Sequence, residues 1–129
     1  MTTPTASKPL LIDSSGWLEY ITEDTKAGDF APYIEEESNT IVPAIVIYEV
    51  FKKLLLDRGE TVALGFFSQA SRRIVVSFDE HVAVAAARIG LHFRLSLADA
   101  IIYATAQAHQ AQLITSDTHF QGLPGVTSI

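Results

Sequence analysis

Cysteine is absent from this sequence. That excludes a disulfide scaffold, a Cys-ligated zinc or iron–sulfur site and a Cys nucleophile. Long apolar runs are missing as well: a segment such as Ile45 to Val50, already broken by Glu49, falls far short of the roughly 20 residues that cross a bilayer. The opening residues, MTTPTASK, lack the basic start and apolar stretch of a signal peptide. There is no GxxxxGKS/T or GxGxxG loop for nucleotide phosphates, no GxSxG elbow and no HExxH pair. These absences imply a soluble, cytoplasmic protein with no membrane partner.

Positive charge is in the minority. Nine Lys and Arg stand against fifteen Asp and Glu, a net charge of −6. Proteins that hold nucleic acid by its phosphates usually show the opposite balance. Either nucleic acid is not the partner, or bound cations invert the local sign.

What is present is enough for one ordinary core. The 129 residues are 48% apolar and 19% charged, which excludes disordered and collagen-like chains. Residues 1–8 read as a flexible tail and 9–129 as a single domain. Lys8 to Asp13 (KPLLID) reads as a buried strand, and Ser14 and Ser15 as caps of a helix carrying Trp17, Leu18 and Ile21. A helix is expected over Lys26 to Glu37, with Pro32 inside it. Thr40 to Val42 is a second strand, and Pro43 suits the first turn of a helix running to Arg58 and stopped by Gly59.

Glu60 to Ser71 reads as helix and Arg73 to Phe78 as strand. Helical spacing over Asp79 to Phe93 follows, and Ser96-Leu97-Ala98-Asp99 has the form of a capping box opening a helix to about Gln110. Gln112 to Thr115 and Val126 to Ile129 are the last strands. Short apolar strands alternating with helices predict an α/β domain: a central parallel sheet of four or five strands with helices on both faces.

In such sheets ligands bind beyond the carboxyl ends of the strands. Asp13 ends the first strand there, and Asp117 follows Leu113-Ile114-Thr115 after one serine. Glu49 interrupts the apolar segment AIVIYEVF, and Asp99 opens the helix LADAIIYATA. Each has an ordinary reading: a cap for Asp13, Asp99 or Asp117, and an i,i+4 pair with Lys53 for Glu49. Their joint placement is harder to dismiss. Four converging carboxylates repel one another, and Mg²⁺ or Mn²⁺, which prefer oxygen ligands, resolves the repulsion while attracting phosphate.

The segments carrying these acids resemble a known family. LIDSSGW at Leu11 to Trp17, YEVFKKL around Glu49, SLADAIIYATA at Ser96 to Ala106 and LITSDTHF at Leu113 to Phe120 are similar to PIN-domain motifs. In length and order they resemble the VapC-type toxins of bacterial toxin–antitoxin pairs. The resemblance implies a PIN-like three-layer α/β/α fold and a Mg²⁺- or Mn²⁺-dependent endoribonuclease held in check by a cognate antitoxin. It implies Asp13, Glu49, Asp99 and Asp117 as the catalytic, metal-binding acids, with hydroxyls of Ser14 and of Thr115 or Ser116 in support. It also implies a homodimer or a toxin–antitoxin hetero-oligomer. Many relatives carry a further acid where this chain has His119.

Lys52, Lys53, Arg58, Arg72 and Arg73 are candidates to track an RNA backbone, with ordinary solvated helix faces and ends as the competing reading. Leu54, Leu55, Phe66 and Phe67 are candidates for the wall of an antitoxin groove, with core packing as the alternative. For His119 a turn or surface role is expected ahead of ligation. A phospho-accepting receiver domain also places acids at strand ends, but it needs a Lys after a late strand, and no Lys follows Lys53. A PIN-like module that binds RNA or protein without activity would have lost an acid, and all four positions are filled.

Overall fold

The computed structural model describes residues 8–129. In chain order they form β1 (Leu10–Ile12), α1 (Ser14–Ile21), α2 (Ala27–Ile34), β2 (Thr40–Pro43), α3 (Ala44–Arg58) and α4 (Glu60–Ser71). β3 (Ile74–Val76), α5 (Glu80–Phe93), α6 (Leu97–Ala108), β4 (Gln112–Thr115) and β5 (Val126–Ser128) follow. Single 3₁₀ turns occupy Glu37–Asn39 and Thr118–Phe120. Among the described residues no helix is long and apolar enough to cross a membrane.

All five strands are parallel, in the order β3-β2-β1-β4-β5. Leu11 pairs with Ile41 of β2 on one side and Leu113 of β4 on the other. Strands covered on both faces are apolar throughout, which is why β1 and β4 show no alternation. The chain steps outward from β1 to β2 to β3, then returns past β1 to β4. Right-handed crossovers therefore put α1–α4 on one face and α5–α6 on the other. Accordingly α1 packs on α2 and α3, while α5 packs on α6. This is the three-layer α/β/α arrangement the sequence predicted. The reversal makes the carboxyl ends of β1 and β4 the switch point where such sheets bind ligands.

Trp17, Phe30, Phe66, Tyr103 and Phe120 are buried in the main core. Trp17 meets Phe66 edge-on at 5.4 Å between ring centroids, and the Arg73 guanidinium lies 5.0 Å from the Trp17 ring. Gly16 permits the close approach of α1 to its neighbours. A Cβ there would stand 2.5 Å from Ile12 Cγ2 and 2.6 Å from Phe30 Cε1.

Several local expectations are corrected. Asp13, not Ser14 or Ser15, caps α1, because its carboxylate accepts the Gly16 N–H at 3.1 Å. Pro43 is the cap residue of α3 rather than part of its first turn. The helix expected to reach Glu37 stops at Ile34, shortly after Pro32, and the chain tightens into the Glu37–Asn39 turn. The third strand is confined to Ile74–Val76, and Ser96 makes no side-chain capping bond to α6. Of the expected tail, residues 1–7 lie outside the described residues. The Lys8 carbonyl is held by Asn39 Nδ2 at 2.8 Å.

Candidate metal centre

Asp13 leaves β1 and turns directly into α1, so one carboxylate must serve strand end and helix start together. It is 3% exposed. Its Oδ1 accepts from Ser15 Oγ at 2.7 Å and from the Gly16 N–H, and its Oδ2 accepts from Thr115 Oγ1 at 2.6 Å. Burial pushes the Asp13 pKa above the ordinary carboxylate value; the three hydrogen bonds oppose that shift, and the charge of Asp117 adds to it. Thr115 is bound in turn by the Asp117 N–H at 2.9 Å, and Ser116 Oγ donates to Ser15 Oγ at 3.2 Å. The ends of β1 and β4 are thus tied by one hydroxyl network.

Asp99, in the first turn of α6, meets Asp117 from the other face of the sheet. Burial raises the Asp99 pKa first and the negative charge of Asp117 second; Ser96 and His119 oppose the rise. His119 Nδ1 stands 3.4 Å from Asp99 Oδ2 and 3.2 Å from Asp117 Oδ1. One donor atom from each of Asp99, Asp117 and His119 falls within a span of 4.8 Å. Glu49 approaches from α3. Its Oε1 accepts from Ser14 Oγ at 2.6 Å, while Lys53, its expected ion-pair partner, bonds Asp57 at 2.9 Å.

The structure therefore gathers the acids at one edge but groups them unevenly. Asp99 and Asp117 cluster with His119, Asp13 is engaged by two hydroxyls and a backbone N–H, and Glu49 is linked through Ser14 beside Asp13. The donor set suits a hard divalent cation: carboxylate oxygens crowded close enough to repel, with hydroxyls aligning Asp13 and Glu49. Ser15, read in the sequence only as a cap, is a direct partner of Asp13. Two hydroxyl residues immediately after the strand-end acid were the available signal.

Other candidates are redistributed. Arg72 and Arg73 precede β3, at the amino edge of the sheet, opposite the acids, so neither can track RNA beside them. Arg73 is moreover buried, donating from Nη1 to the Gln69 carbonyl at 2.5 Å and from Nη2 to the Ile34 carbonyl at 2.6 Å. Arg72 pairs with Glu37 at 3.0 Å. Lys52 lies beside Tyr48, with Nζ 3.4 Å from its hydroxyl. Lys53 and Arg58 line a cleft of about 360 Å³ together with Ser15, Glu19, Asp24 and Asp57. Leu54 and Phe66, each 1% exposed, belong to the core; neither lines the apolar groove of α3 and α4, and Leu54 reaches only the cleft shared by Lys53 and Arg58. Leu55 and Phe67 are exposed and, with Tyr48, Phe51 and Leu64, line an apolar groove of about 480 Å³ across α3 and α4.

Fold and site together define a parallel α/β domain with clustered acids at its switch point. The chain belongs to the PIN domain family, whose profile matches residues 10–126. No curated protein matches it in sequence. A toxin–antitoxin complex from Klebsiella pneumoniae superposes with a TM-score of 0.79 at 23% identity, over 92% of this chain and 96% of that one. A sarcin–ricin-loop-cleaving VapC toxin of Mycobacterium tuberculosis gives 0.75 at 15% identity, over 91% and 96%. DNA-bound VapBC from Salmonella typhimurium gives 0.75 at 14% identity, over 95% and 98%. These likenesses establish the fold.

Proposed function

We propose that this protein is a divalent-metal-dependent endoribonuclease that hydrolyses RNA phosphodiester bonds and serves as the toxin of a toxin–antitoxin pair. The observation that carries the reading is the gathering of Asp13, Asp99 and Asp117, with Glu49 beside them through Ser14, at the switch point of a PIN fold. Asp99 and Asp117, with their neighbour Asp13, would hold Mg²⁺ or Mn²⁺, and Glu49 would complete the shell or orient water. The bound ion supplies charge stabilisation to a phosphoryl oxygen and acidity to a water. Thr115 and Ser15 keep the Asp13 carboxylate in one orientation, and Ser14 does the same for Glu49. Lys53 and Arg58, which share a cleft with Ser15, would meet the RNA backbone.

The named toxin–antitoxin complexes support an antitoxin as partner, and the groove over α3 and α4 would receive its apolar helix. Within that assembly the toxin would form a homodimer. The inactive-module reading has no missing acid to favour it. The test is cleavage of a panel of RNAs by purified protein with Mg²⁺, with Mn²⁺ and with excess chelator. Cleavage is expected with either ion, lost on chelation, and lost in Asp99→Asn with unchanged circular dichroism. Chelator-resistant cleavage, or full activity in folded Asp99→Asn, would overturn the assignment.

A further inference from the structure

His119 stands out because it is a nitrogen donor inside an otherwise all-oxygen set. The turn Thr118–Phe120 is anchored by Phe120, which is fully buried and stacks on Tyr103 at 6.4 Å between centroids. The His119 N–H is held by Asp117 Oδ1 at 2.9 Å. Backbone and neighbour are therefore fixed, and the imidazole projects beside the two carboxylates. Its Nδ1 separations of 3.4 Å from Asp99 and 3.2 Å from Asp117 are informative. Two adjacent ligands of an octahedral ion with bonds of about 2.1 Å lie about 3.0 Å apart. Both separations that His119 makes are close to that spacing, and the three donor atoms all fall within 4.8 Å of one another.

We propose that His119 is a metal ligand through Nδ1, giving a facial Asp99–Asp117–His119 set that makes the centre prefer Mn²⁺ to Mg²⁺. The inference rests on the metal-dependent reading above. Mg²⁺ takes oxygen ligands almost exclusively and gains little from imidazole, whereas transition ions accept imidazole nitrogen and carboxylate oxygen in one shell. Replacing one oxygen donor by nitrogen therefore shifts the preference without new contacts elsewhere. A histidine that merely hydrogen-bonds the acids would leave the metal's own coordination all-oxygen. The two roles differ in a directly observable bond.

The experiment uses the full chain loaded with Mn²⁺. Electron spin-echo spectroscopy of the bound ion is expected to show modulation from a directly coordinated ¹⁴N nucleus, absent in His119→Asp. In competition followed by the free Mn²⁺ signal, wild type is expected to favour Mn²⁺ over Mg²⁺ at least about tenfold more strongly than His119→Asp does. Circular dichroism confirms that both proteins are folded. Bound Mn²⁺ with no nitrogen modulation overturns the ligand assignment while leaving the metal centre standing. No binding at millimolar Mn²⁺ overturns the metal-dependent reading and this inference with it. Unchanged selectivity in His119→Asp overturns the claim about preference.

Discussion

Thr115 Oγ1 donates to Asp13 Oδ2 at 2.6 Å, joining the carboxyl ends of β4 and β1 across the switch point of the sheet. Both residues are buried, so the bond is not exchanged for water when broken. Thr115→Val keeps the shape and removes the donor, leaving a carboxylate oxygen unsatisfied. The expected cost is about 1–3 kcal/mol of unfolding free energy by denaturant titration. Thr115→Ser, which keeps the hydroxyl, should recover most of it. Equal stability of the Val and Ser variants would show that the bond contributes nothing.

Burial raises the pKa of both Asp13 and Asp99, with the Asp117 charge contributing to each. A carboxyl raised in the folded state binds protons more tightly there than in the unfolded chain. Its effect on stability is therefore nil at low pH. The penalty sets in as pH rises past the ordinary value of 3.8 and is complete above the raised folded pKa. Without divalent ions, the contribution of these two groups should make the protein melt higher in mild acid than at neutral pH. Asp13→Asn and Asp99→Asn should each flatten the profile. Millimolar Mg²⁺ or Mn²⁺ should raise the neutral-pH melting temperature by mass action, and an Asp13→Ala/Asp99→Ala double variant should lose most of that rise.

Gly16 is the point where packing and site meet. A methyl group at Gly16 would collide with Ile12 and Phe30, both core residues, while its N–H anchors Asp13. Gly16→Ala should destabilise by about 1–3 kcal/mol through overpacking. It should also weaken divalent-ion binding, read by calorimetry, because the N-terminus of α1 must shift with the carboxylate it holds. Destabilisation with unaltered ion affinity would separate the two roles.

The strands and the strand-end acids were legible because both obey short-range rules. β1 and β4 are apolar runs ended by polar residues, and parallel sheets put such ends together. What was not legible depended on rotation about a helix axis. Leu54, Leu55 and Leu56 are adjacent in sequence, yet only Leu54 turns inward, and Phe66 and Phe67 divide in the same way. Arg73 looks like a solvated charge, but its guanidinium is buried against two backbone carbonyls and the Trp17 ring, with Nε left without an acceptor. Glu49 found Ser14, 35 positions away, in place of Lys53 one turn along. No local pattern encodes that choice; it follows from α1 packing on α3.

The same division of exposed from buried apolar residues decides how restraint by an antitoxin should be tested. A centre open enough to take RNA, as proposed, would also admit an inserted Arg or Lys, which would satisfy Asp99 and Asp117 with charge-assisted hydrogen bonds while displacing metal. Tyr48, next to Glu49 in α3, lines the apolar groove with Phe51, Leu55, Leu64 and Phe67. An apolar helix seated there would aim an adjoining basic residue at the acids. Leu55→Asp and Phe67→Asp alter exposed side chains and should leave folding and nuclease activity intact while weakening antitoxin binding by about 2 kcal/mol each. Phe66→Asp would unfold the protein instead, since Phe66 packs on Trp17 in the core. Neutralising the antitoxin's basic residue should restore cleavage while reducing affinity only in part. If an antitoxin without any basic residue near the acids inhibits equally well, the centre is blocked by coverage of the cleft rather than by occupation of the metal site.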